Sequence, residues 1–174
     1  MECDIFMSAK QWVKGIYLFF TDRPYYEQRK RYLKRQKAVR KKLKKQIKEF
    51  CPWSGYYMHR IIQTMLEFYQ EAYEAGDCAW SEEARTKQIA GQISKAVEHA
   101  KMLDKIEEAE ICELLDMATE PGFEKYLNSL EHAGHIIKRD NIHILSGLAY
   151  EYLVEKHTKA MYNIIGKHIW DWCD

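Results

Sequence analysis

Apolar residues recur every three or four positions through most of the chain, which is the spacing of helices with one buried face. The broadest such face lies between residues 55 and 75, where Ile61, Met65, Phe68 and Ala72 follow it. No stretch alternates apolar and polar residues as a half-buried strand does. The pattern therefore predicts an all-α protein, a compact bundle of about six or seven helices.

Capping and turn-forming residues divide this pattern into helices. Asp104 is expected to cap a short continuation of the fourth helix, and Asp140 or Asn141 to open the last one. Glycines are expected to end helices at Gly76 and Gly134. The predicted helices span about residues 4–20, 24–50, 55–75, 82–103, 104–117, 123–133 and 141–174.

The second predicted helix differs from the others in charge. Residues 23–48 contain 13 Lys or Arg and a single carboxylate, Glu27. Its apolar positions form only a narrow seam, which includes Leu33, Val39 and Leu43. A helix with this pattern should dock lightly and expose most of its charge.

The charge is distributed unevenly over the whole chain. Residues 1–60 carry 16 basic and 5 acidic side chains, whereas residues 61–174 carry 11 basic and 21 acidic ones. The formal net charge of +1 therefore conceals two oppositely charged parts. We predict a basic N-terminal helical hairpin, residues 1–50, beside an acidic helical body, residues 51–174, within one cooperative domain.

Composition excludes some classes of protein. A hydrophobic content of 47% excludes intrinsic disorder as the overall state. The five cysteines are scattered without a C-x-x-C pair, which is typical of reduced thiols in a cytoplasmic protein. The apolar segment 5–20 is interrupted by Lys10 and Lys14 and is too short to span a bilayer, although an interfacial membrane helix stays an alternative.

The basic helix is the candidate binding element. Cations on several sides of a helix neutralise phosphates, so the sequence predicts a non-enzymatic protein that binds nucleic acid or a host nucleoprotein complex, with no cofactor. Tyr25, Tyr26 and Tyr32 are candidates for stacking on exposed bases. The helix could instead dock on the acidic half of its own chain, or on an acidic host protein. The candidate residues lie off the apolar seam: Arg31, Lys34, Arg35, Lys41, Lys42 and Lys45.

Other chemistry is less well supported, and we predict no catalytic or metal-binding residue. His132 and His135, with Glu131 or His143, have a spacing that one metal ion could use, but Gly134 interrupts the helix there. Residues 107–116 contain E-x-x-E and E-x-x-D, carboxylate motifs with which all-α nucleotide pyrophosphohydrolases hold magnesium, although those enzymes bring them from different helices. A nucleotide-binding pocket of Trp and Tyr beside cations is a further alternative.

Two segments carry a resemblance to known proteins. The run P-W-S-G-Y-Y-M-H-R-I-I, residues 52–62, and the ending I-W-D-W-C-D, residues 169–174, resemble small, uncharacterised helical proteins encoded by bacteriophages. The resemblance covers roughly residues 51–103 and the last six, and it implies a phage or mobile-element origin in bacterial cytoplasm. It carries no site residues. An inhibitor or adaptor that docks on a host protein, such as a defence factor, is an alternative function, and the narrow seam of the basic helix could pair with a second copy to form a homodimer.

Overall fold

The computed structural model describes residues 17, 20, 22–49, 55–77 and 83–173. Within them the chain forms six α-helices and no strand, which confirms the all-α prediction. The first predicted helix, residues 4–20, lies outside the described residues except for Tyr17 and Phe20. The helices are α1 (Arg23–Lys48), α2 (Gly55–Glu74), α3 (Glu83–Glu108), α4 (Ile111–Met117), α5 (Pro121–His132) and α6 (Ile142–Cys173).

Local signals set most of the helix ends. The Asp22 side chain accepts a hydrogen bond from the Tyr25 amide at 3.1 Å, and Pro24 lies in the first turn of α1, where a missing N–H costs nothing. Gly134 follows the end of α5 with a φ of 91°, a left-handed conformation that glycine adopts without strain. Asn141 opens α6, because its Oδ1 accepts from the amides of His143 and Ile144.

The predicted break at Asp104 is wrong. Helix α3 continues through this residue to Glu108, and the next helix begins at Ile111 after the cap Glu110, whose amide donates to Glu113 Oε2 at 3.1 Å. The physical reason is packing: Leu103 and Ile106 both lie in the core, with Ile106 1% exposed, so continuing the helix buries one more apolar side chain. Asp104 lies inside the last turns of this helix instead of capping a new one.

The core lies between α2, α3 and α6. Helices α3 and α6 run antiparallel, because Trp172 Nε1 donates to Gln92 while Tyr150, some twenty residues earlier, donates to Glu107. Alanines at the contacts are completely buried and let the helices approach closely. The largest fully buried side chains are Ile93, Val97, Ile106, Leu153 and Met161.

The remaining helices pack on the outside of this core. The short helices α4 and α5 lie against α6. Helix α1 packs antiparallel on α2, since Gln28 contacts Gly76 at one end and Gln46 contacts Thr64 at the other. No residue of α1 is buried, which confirms the expectation of light docking.

Candidate polyanion-binding surface

Helix α1 divides its cations between two faces, and the inner face meets the acidic groups of α2 and the turn after it. Asp77 is central to this face because its side chain has no exposed surface. It accepts from Arg31 Nε at 2.8 Å and from Arg35 Nε at 2.9 Å. Burying a carboxylate without partners is costly, so these two guanidinium groups are what makes the position of Asp77 favourable.

The backbone after α2 holds Asp77 in that place. Gly76 adopts a φ of 67°, and the Asp77 amide then donates to Ala72 O at 2.8 Å, a bond that closes the end of the helix. The Gln28 side chain of α1 donates to the carbonyl of Gly76. The turn thus both ends α2 and presents a buried carboxylate to α1.

Two further ion pairs extend the inner face along α2. Arg35 Nη1 lies 3.1 Å from Glu71, and Lys42 Nζ lies 3.2 Å from Glu67. The Gln46 side chain donates to Thr64 Oγ1 at 2.9 Å. Part of the basic helix is therefore neutralised by its own chain.

The outer face carries a row of lysines with no such partners. The lysine row consists of six exposed side chains, which make no ion pair or hydrogen bond with any described residue: Lys30, Lys34, Lys37, Lys41, Lys44 and Lys48. Their spacing alternates between four and three residues, so they fall within about 80° of arc on an α-helix. At 1.5 Å per residue the row is about 27 Å long.

The six residues selected from the sequence are split between these faces. Lys34 and Lys41 belong to the lysine row, whereas Arg31, Arg35 and Lys42 flank the seam and pair with the body. The sixth, Lys45, lies 3.9 Å from Glu49 one turn further along the same helix. The row's regular spacing was present in the sequence, but only the structure shows which cations α2 neutralises.

None of the tyrosines proposed for base stacking is fully exposed. Tyr32 packs against Phe68 of α2, with ring centroids 5.6 Å apart, and Tyr25 and Tyr26 are half-buried. Val39, from the apolar seam, lines a crevice with Thr64 and Phe68 of α2. A homodimer through the same seam would have to compete with these contacts.

The other candidate sites find little support in the described residues. No group of three or more His, Cys, Asp or Glu there could hold a metal ion. Glu131, proposed as a ligand beside His132 and His135, is bound by Arg139 at 3.0 Å, and this hydrogen bond lowers the pKa of the Glu131 carboxyl. The sequence prediction that the carboxylates of 107–116 share one short helix is wrong, because Glu107 and Glu108 end α3 whereas Glu113 and Asp116 lie in α4.

A groove between α2 and α6 is almost purely apolar. Its described lining contains Tyr and Trp but neither Lys nor Arg, so it offers no cation to the phosphate of a nucleotide. Those residues are Ile62, Met65, Leu66, Tyr69, Tyr162, Ile165, Ile169 and Trp172.

Sequence reasoning missed a pair of histidines inside the bundle. His99 of α3 and His157 of α6 place their Nδ1 atoms 2.9 Å apart, so one of them donates and the other accepts. Burial, reinforced by the neighbouring His99 and Lys156, lowers the pKa of His157, whereas Glu120 acts in the opposite direction. The two residues are 58 positions apart in the chain, and no local pattern connects them.

Comparison with known proteins adds no relative. The chain matches no protein-family model, no curated protein and no solved structure. None of the helices in the described ranges combines the length and apolar character needed to cross a bilayer. The bacteriophage resemblance stays a prediction, and the side chains of residues 52–57, which carry much of it, lie outside those described.

Proposed function

We propose that this is a non-enzymatic nucleic-acid-binding protein of phage or mobile-element origin, and that it binds phosphates through the lysine row of α1. The observation that carries the proposal is the row itself: six exposed ammonium groups on one helix face, without a partner among the described residues. Like charges three or four residues apart destabilise a helix. A polyanion would turn this repulsion into attraction by releasing its counterions.

Self-neutralisation accounts for a different set of cations. The acidic groups of α2 and its following turn bind Arg31, Arg35 and Lys42, on the inner face. The lysine row points away from them and keeps its charge. Docking on the acidic body and binding a polyanion are therefore compatible, because they use opposite sides of α1.

An acidic host protein is the second candidate partner, as an inhibitor or adaptor would require. The cores of protein–protein interfaces are enriched in aromatic residues and depleted in lysine. All six positions of the row are lysine, and Tyr32 faces α2 instead. This composition favours the phosphate backbone over a protein surface.

The decisive experiment reverses three charges of the row. We expect Lys37→Glu/Lys41→Glu/Lys44→Glu to weaken binding to labelled, mixed-sequence DNA by about two orders of magnitude, measured by fluorescence anisotropy at constant salt. Losing three phosphate contacts should also reduce the slope of log K against log salt concentration by about 3. Glutamate retains high helix propensity, so α1 should persist.

The matched control makes the same change of charge on α3. Lys95, Lys101 and Lys105 are exposed there, and Lys95→Glu/Lys101→Glu/Lys105→Glu should change the affinity less than about threefold. An equal loss of DNA affinity in both variants would show that the effect depends only on the net charge of the protein. That result would contradict a binding site on α1. A wild-type protein that binds no nucleic acid even at low salt would overturn the proposed function, and a stoichiometric complex with an acidic protein would then favour the second candidate.

A further inference from the structure

Several side chains of α1 that could recognise bases are occupied on its inner face. Base edges are read by Arg, Gln, Asn and hydroxyl side chains, and single-stranded bases are held by stacking on aromatic rings. Arg31 and Arg35 bind Asp77, while Gln28 and Gln46 donate to α2 and its turn. The helix contains no Ser, Thr or Asn.

Along the lysine row, the outer face offers a ligand only ammonium groups, which act as point charges. A lysine ammonium neutralises a phosphate but lacks the planar fork with which arginine reads guanine. Arg40 is exposed at the edge of the row and makes no hydrogen bond with a described residue, and Arg23 is exposed at the N-terminal end of the helix. These two exposed arginines are too few to specify a sequence, and Arg40, which lies beside the lysines, provides a test of base reading.

The shape of the row fits a stiff ligand. Six lysines on one continuous helix define a straight line about 27 Å long, equivalent to about eight base pairs at 3.4 Å each. A duplex is straight over this length, because its persistence length is about 150 base pairs. A single strand would have to be straightened along the row. The aromatic side chain in line with the row, Tyr26 one turn before Lys30, is half-buried, so stacking on it would offset little of that cost.

We infer that the lysine row binds the backbone of double-stranded nucleic acid without reading its sequence. This inference rests on the proposed function and names the form of nucleic acid that the site takes. The row contacts phosphates over about eight base pairs, and the body behind α1 keeps the helix straight while it does so.

Competition experiments test the inference. Labelled 20-base-pair DNA is bound by the full chain and displaced by unlabelled competitors: an AT-rich duplex, a GC-rich duplex and single-stranded oligo(dT) of equal phosphate count. The two duplexes should compete within about threefold of each other, and oligo(dT) at least about tenfold less well. With six phosphates engaged, the slope of log K against log salt concentration should be near −5.

The length of the row and the exposed Arg40 provide two further readouts. Hairpin stems of 5, 8 and 12 base pairs should show affinity rising to about eight base pairs and little beyond. Arg40→Lys keeps the charge but removes the fork, so neither the affinity nor the tolerance of sequence should change.

The outcomes separate this inference from the proposed function. Oligo(dT) that competes as well as duplex, or a more than tenfold preference between the two duplexes, overturns the inference and leaves nucleic-acid binding intact. Absence of binding to any of these ligands overturns the proposed function itself. A selective loss of affinity for one duplex in Arg40→Lys would show that bases are read, and would also overturn the inference.

Discussion

Gly122, in the first turn of α5, has no room for a side chain. A Cβ at this position would overlap the hydroxyl of Tyr152, whose ring packs on Phe123 and Tyr126 at centroid distances of 5.5 Å. The same hydroxyl hydrogen-bonds Glu120 at 3.3 Å. Tyr152 is thus held on several sides and cannot give way without losing contacts.

We therefore expect Gly122→Ala to lower the free energy of unfolding by about 1–3 kcal/mol, the usual cost of overpacking. Gly91→Ala is the matched control, because Gly91 lies inside α3 with no atom within 4 Å of an added Cβ. That change should raise stability by about 0.5–1 kcal/mol through helix propensity. Urea unfolding of both variants checks the prediction, and shifts in the same direction would contradict it.

The cations that hold the buried carboxylate differ in type from those of the lysine row. Both side chains that hold the buried Asp77 are arginine, whereas all six positions of the outer row are lysine. A guanidinium group is weakly hydrated and offers directed donors, so it suits a contact that loses water. An ammonium group is strongly hydrated and suits a surface exposed to solvent and to mobile phosphates.

At the scale of elements, α1 packs on α2, and polar contacts hold it there more than the burial of apolar side chains does. It has no buried residue, yet it is fixed at the turn after α2 by the bonds of Asp77 and Gln28. Each hydrogen bond to a charged group contributes about 1.5–3 kcal/mol. The buried carboxylate should therefore decide how firmly the basic helix is held.

Asp77→Asn should destabilise the protein by about 1–3 kcal/mol, because both arginines lose their charged acceptor. We expect the amides of α1 to exchange with solvent deuterium much faster in this variant, while those of α3 change less. Glu71→Gln serves as the control, since Glu71 is 64% exposed and Arg35 is its one ion-pair partner among the residues that the structure describes. Its cost should stay below about 1 kcal/mol. Unchanged exchange along α1 in Asp77→Asn would show that apolar contacts alone dock the helix.

For the molecule as a whole, the contact between α3 and α6 contains an acid-sensitive position. His157 is buried there against His99, and burial lowers its pKa below the ordinary 6.5. His59 of α2, near Asp104 of α3, also has a pKa lowered by burial. Neutral histidine is thus the form that fits the folded interior.

The direction of the pH effect follows from this lowering. Below about pH 6.5 the unfolded chain binds a proton that the folded chain still resists, so acid favours unfolding. The free energy of unfolding should be highest above pH 6.5 and fall between pH 7 and pH 5. In His157→Gln the free energy of unfolding should depend less steeply on pH, and the remaining dependence is due in part to His59. His135→Gln, in an exposed loop, should leave the pH dependence unchanged. Urea unfolding at several pH values measures it, and an identical slope in His157→Gln would contradict it.

The sequence by itself determined the helices and the separation of charge. Apolar spacing, Pro24 in the first turn of α1 and Gly134 after α5 act within one or two helical turns. Their effect can therefore be predicted without knowing which other helix packs against them. The wrong prediction of a helix break at Asp104 shows the limit of such local signals. Burial of Ile106 favours continuing the helix past a residue that could have capped a new one.

Only the tertiary structure decided which cations of α1 are neutralised and which stay available. Arg31 and Asp77 are 46 residues apart, and the two histidines of the interior are 58 apart. Such pairs depend on how helices pack, which no local spacing specifies. The lysine row is regular in the sequence, but it became a candidate site only once α2 was seen to occupy the opposite face, because a charge binds an external partner only where its own chain leaves it exposed.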